Sequence, residues 1–380
     1  MVRQVFYNAT LLEGEGLDVT NGYLVVKDGK IAKICEGTPR TRGIDIKRGF
    51  VLPPFVNAHT HLADAITKEL YIGKSQPQVV GPRGVKFREL KGAGRELVGT
   101  IRTIIHDMLR SGTLAHCDFR EGGLAGVRIL RRASTTPVRS VILGRPSKLS
   151  ELNGLLRACD GVGLPSIDAF EPSAVKEIAR NVRKAGKICS VHVAETEEAQ
   201  ELSFEKTGKS EVERALELRP SFIIHSTWAS DGDLLMLKKA RVPVVFCARA
   251  NSLLGVGIPP ILRASRSGVK FCIGTDNAAV CQPDMFGELS FDWACMRREN
   301  SGVGDEEARE LLRAAMIEPL GIFNLPWKPL QEGAPATFLI LSRRHNLVGL
   351  KNVHAGLVNR ARADNVSAIL VDGKRFKLGS

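Results

Sequence analysis

The stretch Phe55-Val56-Asn57-Ala58-His59-Thr60-His61 decides how the chain is read. An apolar run from Phe50 to Val56 ends at two histidines spaced i, i+2. Side chains alternate faces along a β-strand, so that spacing turns both imidazoles to the same side. Two imidazoles converging at the end of a buried strand make half of a metal site. Two ordinary strand-end histidines explain the same spacing, and the stretch alone does not separate the readings. The remaining ligands have to come from elsewhere in the chain.

The 380 residues suffice for one large α/β barrel with a small accessory domain, or for two medium domains. With 43% hydrophobic and 25% charged residues and 37 glycines, the composition is that of a globular protein and excludes disordered or collagen-like chains. No apolar run approaches a membrane span, and Met1 to Phe6 leads into polar residues without a signal-peptide core, so the expected location is cytoplasmic. The eight cysteines (35, 117, 159, 189, 247, 272, 281, 295) are scattered and form no C-x-x-C pair, which argues for reduced thiols and against a zinc–thiolate site. A net charge of +13 raises the question of nucleic acid. The basic residues are spread along the chain apart from Arg128, Arg131 and Arg132, and no nucleic-acid motif accompanies them.

Residues 1 to about 50 read as short strands, Gln4 to Leu12, Gly22 to Lys27 and Lys30 to Ile34, with Asp28-Gly29 as a hairpin signal. Ala336 to Ser342 and Val366 to Val371 are strand-like again, followed by the turn pair Asp372-Gly373. The two β-rich ends are expected to meet in one β-sandwich domain of residues 1–50 and 330–380, around a barrel of residues 51–329. In that middle part Thr113 to Phe119, Val138 to Leu143, Cys159 to Leu164, Ile188 to Val193, Phe222 to Ile224, Val242 to Cys247 and Val269 to Ile273 are apolar candidate strands. Helical patterns lie between several of them, at Arg95 to Arg110, Ser173 to Lys184 and Leu234 to Ala240 capped by Ser230-Asp231, and Asp305-Glu306-Glu307 opens another. With the strand at Phe50 to Val56 this makes eight β units separated by crossovers, the pattern of a (β/α)8 TIM barrel.

Catalytic groups in such a barrel come from the C-terminal ends of different strands. The first strand ends at His59 and His61, the fifth at His192 followed by Glu195, the sixth at His225, and the eighth at Gly274-Thr275-Asp276. A buried core histidine accounts for any one of these. Five coincidences at matching strand ends leave that explanation poor.

The chain resembles the amidohydrolase superfamily of metal-dependent hydrolases, in the branch of deaminases and chlorohydrolases that includes adenosylhomocysteine and guanine deaminases and triazine hydrolases. The matching stretches are LPPFVNAHTHL, HVAETEEA, IIHSTWAS, CARANSLLGVGIPP and GTDNAAVCQPDM, with EGAPATFLIL and NVSAILVDGK at the end, so the likeness covers nearly the whole chain. SGTLAHCDFREGG and the short length look most like an archaeal chlorohydrolase-like subgroup. The resemblance implies His59, His61, His192 and Asp276 as metal ligands. It implies His225 as the group that holds the metal-bound water or the reacting substrate atom, and Glu195 as the proton-shuttling glutamate. Asp276 then takes the water's proton, and Glu195 protonates a ring nitrogen and afterwards the departing amine. For Glu195, a solvated residue at a helix start is the competing explanation, because Thr196-Glu197-Glu198 follows.

Binuclear members carry a carbamylated lysine at the end of the fourth strand, where this chain reads Gly161-Val162-Gly163-Leu164-Pro165-Ser166-Ile167-Asp168. One divalent metal is therefore expected, zinc before ferrous iron. Pro54 stands where the family commonly has Gly, and Ala248 and Ala250 interrupt its Cys-Pro-x-Ser-Asn pattern, departures that touch substrate positioning. Candidate substrate contacts are Trp228, Arg249, Asn251, Arg120 and Glu121, each with a structural role as its alternative. After the first strand, Lys68, Lys74, Arg83, Lys86, Arg88, Lys91 and Arg95 face only Glu69 and Glu89. That basic, glycine-rich loop either receives an anionic group of the substrate or is a solvated surface.

The expected function is that of a mononuclear metal-dependent amidohydrolase, a deaminase that releases ammonia from an amino-substituted heterocycle (a purine, pterin, cytosine or nucleoside derivative). The alternatives are hydrolysis of another C–N or a C–Cl bond (amide, lactam or chloro-triazine) and, in a different class, a basic nucleic-acid-associated non-enzyme. The expected partner is a small-molecule substrate, anionic if the basic loop serves it, with no membrane and no specific nucleic acid. A homodimer is compatible with this reading.

Overall fold

A computed structural model describes residues 3–81, 84–94 and 96–376. The chain divides into two compact units, one of residues 1–56, 108–114 and 284–380 and the other of residues 57–107 and 115–283.

The first unit holds a sheet built from both ends of the chain. Arg3–Glu13 pairs antiparallel with Asp18–Lys27, which turns at Asp28-Gly29 into Lys30–Glu36. Asp28 and Gly29 have φ of 50° and 79°, the two left-handed residues of a type I′ hairpin turn. On the other side Phe338–Leu341 lies between Phe50–Leu52 and Val366–Val371, antiparallel to each. Asp372-Gly373 then turns Val366–Val371 back into Lys374–Phe376. Phe6 and Phe338 meet edge to face at 5.6 Å in the core under this sheet.

The barrel strands are Phe55–His61 (β1), Thr113–Arg120 (β2), Arg139–Gly144 (β3), Gly161–Leu164 (β4), Ile188–Val193 (β5), Phe222–His225 (β6), Val244–Phe246 (β7) and Phe271–Ile273 (β8), and Asp276–Asn277 (β9) continues the last. They follow one another in this order, and β9 returns to pair with β1 in parallel, so the ring closes as a TIM barrel. Every residue of β1 and β2 is buried, as expected of parallel strands covered on both faces. Helices at Glu96–Arg110, Pro172–Lys184, Asp231–Ala240 and Asp305–Met316 match the sequence periodicity. Ser230 caps Asp231–Ala240, its hydroxyl accepting from the Asp233 N–H.

Two expectations change. Phe50 to Val56 is not one strand: Phe50–Leu52 belongs to the terminal sheet and Phe55–His61 to the barrel. Pro53-Pro54 separates them because neither residue has an N–H to give to a ladder. The basic stretch after β1 is not an open loop either, since it contains the helices Gln76–Val80 and Val85–Gly92. Arg83 and Arg95 of that stretch lie outside the described residues.

The barrel seam makes a stability prediction. A Cβ on Gly274 would lie 2.7 Å from the backbone N of His59 and from its Cβ. Gly274→Ala is expected to lower stability in urea unfolding by about 1–3 kcal/mol, the usual scale for overpacking a filled interior.

Candidate active site

Barrel strand ends bring the sequence-predicted groups together. His59 Nε2 stands 3.1 Å from Asp276 Oδ1, and His61 Nε2 is 3.5 Å from the same oxygen. The His59 ring is 5.0 Å from that of His192 and 5.8 Å from that of His225, centre to centre. Two sets of ligand atoms lie within 4.8 Å of one another, His59–His192–His225 and His59–His61–Asp276. Phe119 of β2 backs the cluster, with its ring centre 4.5 Å from His59 and 5.1 Å from His192.

Outer partners fix how the rings face. His192 donates from Nδ1 to the Leu164 carbonyl at 2.8 Å, and His61 Nδ1 lies 3.1 Å from the Phe119 carbonyl. A carbonyl only accepts, so each of these rings donates from Nδ1 and turns its Nε2 to the cluster. His225 Nδ1 is 3.2 Å from Asn251 Oδ1, and Asn251 in turn donates to Thr227 Oγ1. Burial drives His59 down to about 3 and His192 well below the usual imidazole range, so both are neutral at pH 7. Burial opposes ionisation of Asp276 as well, but the imidazoles of His59, His61 and His225 outweigh it and hold the carboxyl well below the usual carboxylate range. Neutral imidazoles around an ionised carboxylate are the donor set a divalent cation takes. Among the described residues His59 Nδ1 has no hydrogen-bond partner although the ring is fully buried, and its Nε2 faces Asp276 Oδ1 without the geometry of a hydrogen bond, which leaves that nitrogen available to a cation.

Four residues at these strand ends adopt left-handed backbone. Ala194, His225, Ser226 and Asp276 have φ of 47°, 69°, 49° and 57° although none is glycine. Glu211 holds the turn after β5 by accepting from the Ala194 N–H at 2.6 Å. Glu195 sits just beyond it, ahead of the Thr196 cap of the helix Glu197–Thr207. Its Oε2 is 3.6 Å from His225 Nε2 and its Oε1 accepts from Gln76 Nε2 at 2.9 Å. Glu195, His61, His192, His225 and Asp276 all line one pocket of about 90 Å³, with Lys86 and Arg145 on its wall.

The weaker sequence candidates are placed differently. Asn251 orients His225, and Glu121 Oε1 lies 3.0 Å from His61 Nδ1. Trp228 is 39% exposed and donates from Nε1 to the Val256 carbonyl, while Arg249 donates to the Gln282 carbonyl; neither lines the catalytic pocket. Arg120 lines a neighbouring cavity. Sequence reasoning assigned no role in the site to Asp64 and Arg145, and read Lys86 only as one member of a basic loop that receives an anion or is solvated. Lys86 is buried, bonding Glu121 at 2.6 Å and Asp64 at 2.7 Å. Burial works against its charge, yet the two carboxylates raise it above the ordinary lysine value. No local sequence signal marks this cluster, because Asp64, Lys86, Glu121 and Arg145 are scattered along the chain.

The fold and this donor cluster define a barrel hydrolase. An amidohydrolase family model matches residues 50–376, and the chain belongs to the amidohydrolase family, hydrolases of carbon–nitrogen bonds. It is 31% identical over 392 residues to an inferred aminohydrolase of Methanothermobacter thermautotrophicus, covering 98% of this chain and 99% of the relative. It is 23% identical over 395 residues to the 5-methylthioadenosine/S-adenosylhomocysteine deaminase of Thermococcus sibiricus, covering 97% and 92%. The zinc complex of atrazine chlorohydrolase from Arthrobacter aurescens has the same fold, with a TM-score of 0.83 and 16% identity over 98% of this chain and 94% of that one. No helix among the described residues is long and apolar enough to cross a membrane.

Lys86→Met leaves the buried Asp64 carboxylate without its cation and removes the nearest one from Glu121. Breaking a buried pair from one side typically costs about 3–5 kcal/mol, and urea unfolding is expected to show a loss of that size. Adding Asp64→Asn is expected to return part of it.

Proposed function

We infer that the chain is a mononuclear, metal-dependent deaminase that releases ammonia from an amino-substituted heterocycle, such as a purine, pterin, cytosine or nucleoside derivative. The facing pair Glu195 and His225, 3.6 Å apart in the pocket that Asp276 also lines, carries this reading. Hydrolytic deamination moves protons twice, away from the attacking water and onto the departing amine. Asp276, held ionised by the imidazoles around it, accepts the first. Glu195 Oε1 accepts from the Gln76 amide and its Oε2 faces the His225 imidazole, and on this reading its carboxyl carries a proton to a ring nitrogen and then to the amine. His225, held at Nδ1 by Asn251, presents Nε2 to the reacting centre.

His59, His61, His192 and Asp276 are the residues that would hold the ion. A divalent ion there supplies Lewis acidity and brings the pKa of water down to about 7. Zinc suits three imidazoles and a carboxylate. The fourth strand supports a single ion, because β4 ends at Leu164 and runs on into Pro165 and Ser166 without a lysine. The deaminase name of the Thermococcus relative supports ammonia as the leaving group, and the chlorohydrolase fold makes chloride the competitor to test. All eight cysteines are unpaired, which fits a reducing compartment and so the cytoplasm.

The test is an ammonia- and chloride-release screen over aminopurines, cytosines, pterins, nucleosides and chloro-triazines, run with metal analysis. The expected result is about one equivalent of zinc, with ammonia release lost on chelation and restored by the metal. Glu195→Gln is expected to keep its metal and lose about 10²–10⁴-fold in kcat, the range general acid–base groups supply. Ammonia released equally by that variant removes Glu195 from the mechanism, and a protein without metal or metal-dependent activity ends the whole reading.

A further inference from the structure

Beside the catalytic pocket lies a larger cavity of about 440 Å³. Arg145 lines both spaces, and Arg120 and Glu121 line the larger one. The two arginines stand on adjacent strand ends. Arg120 of β2 is in register with Gly144 of β3, and the Arg145 N–H donates to the Arg120 carbonyl at 2.9 Å. The rest of the wall is mostly apolar and includes Phe87, Leu90 and Ile129.

Part of the hydrogen-bonding capacity of these guanidiniums is unused. The Arg120 side chain is only 4% exposed, and among the described residues its Nε and Nη1 have no hydrogen-bond partner; neither does the Nε of Arg145. Buried donors without acceptors are costly, and more so when they carry charge. Glu121 is the acid at hand, 3.6 Å from Arg120 Nη1 and 3.5 Å from Arg145 Nη1, but Lys86 bonds it more closely at 2.6 Å. The linked cluster sets the cations Lys86, Arg120 and Arg145 against the anions Glu121 and Asp64. Asp118, two positions before Arg120 on β2, is a further buried carboxylate beside it, so what this cluster lacks is acceptors for its guanidinium N–H groups.

We propose that this cavity is an anion subsite in which Arg120 and Arg145 hold a phosphate or carboxylate carried by the substrate while its ring reaches the catalytic pocket. The guanidinium fork matches the oxygens of either group in pairs, and the missing acceptors are those the anion brings. The placement of the ring rests on the deaminase reading; the anion site does not. It also narrows the charge recognition suggested by the basic run after β1. Of that run Lys68, Lys74 and Arg88 are exposed, Lys86 is committed to Asp64 and Glu121, and Lys91 lines this cavity.

Two measurements test it on the full-length, metal-loaded protein at constant ionic strength. In the first, inorganic phosphate and benzoate are titrated separately, followed by calorimetry and thermal unfolding. At least one is expected to bind, and Arg120→Met and Arg145→Gln are each expected to weaken it tenfold or more. Circular dichroism checks the fold of each variant, and the more exposed Arg145 decides if Arg120→Met does not fold. No binding of either anion, or binding kept in the folded variants, overturns the proposal. In the second, ammonia release is compared between phosphate- or carboxylate-bearing substrates and their neutral counterparts. A kcat/KM at least tenfold higher for the anionic form, lost in the arginine variants, supports the subsite and says which oxyanion it takes. Arginine-dependent anion binding without ammonia from any heterocycle keeps the subsite and ends the deaminase reading. Equal turnover of charged and neutral substrates, with no anion binding, does the reverse.

Discussion

Closure of the barrel between its last and first strands is the constraint on which the site depends. Asp276 pairs in register with Thr60 and Asn277 with His61, so the carboxylate arrives beside His59 and His61 through backbone geometry. Asn57 rivets the seam from below: its Nδ2 donates to Thr275 Oγ1 and its Oδ1 accepts from the Thr275 N–H. Gly274 is the only residue type that allows this approach, because its Cα sits against the His59 backbone. On the opposite arc, the β5–β6 ladder sets Val193 against His225 and His192 against Ile224, which staggers the other two imidazoles. Four histidines and one aspartate scattered over 218 residues of chain thus become neighbours because parallel strands deliver their ends to one rim.

Burial then determines the protonation state of what the ladder has assembled. His59 and His192 are pushed neutral, and Asp276 remains ionised against the cost of its burial. His61 is the exception, raised above the usual imidazole range. Burial and nearby Lys86 work against its charge, but Glu121 on one side and Asp276 on the other outweigh them. A position flanked by two carboxylates favours positive charge, and that same field favours a divalent cation on the Nε2 side of the ring.

The strand-end groups were legible because each sits at a point where an apolar run stops. His59, His61, His192, Glu195, His225 and Asp276 all follow buried strands whose pattern is visible without coordinates. The residues that were not legible act across loops. Lys86 reads as one member of a basic run, and a charge run ordinarily means solvent; only the fold brings it down onto Asp64 and Glu121. Arg145 follows Gly144 with no spacing signal, and its meaning comes from the register between β2 and β3. Glu211 lies 17 positions from the Ala194 N–H that it holds, a separation no local pattern encodes. The Pro53-Pro54 pair was visible, but its effect depended on the existence of two sheets for the flanking residues to join.

Glu121 and Glu195 show how surroundings divide labour between identical side chains. Each follows a barrel strand and each approaches a histidine of the cluster, Glu121 at His61 and Glu195 at His225. Glu121 is buried among Lys86, Arg145 and His61, which outweigh the cost of burial and hold it well below the usual carboxylate range. Unlike Asp276, Glu121 does not line the catalytic pocket, so its held charge serves to orient His61 and neutralise Lys86. Glu195 stands at 19% exposure on the pocket wall, bonded by an amide and facing an imidazole. Under the deaminase reading proposed above, Glu121 is the fixed charge and Glu195 the proton carrier. That reading draws its proton-moving groups from the ends of β5, β6 and β9, while the loops after β1, β2 and β3 supply the buried charges beside them.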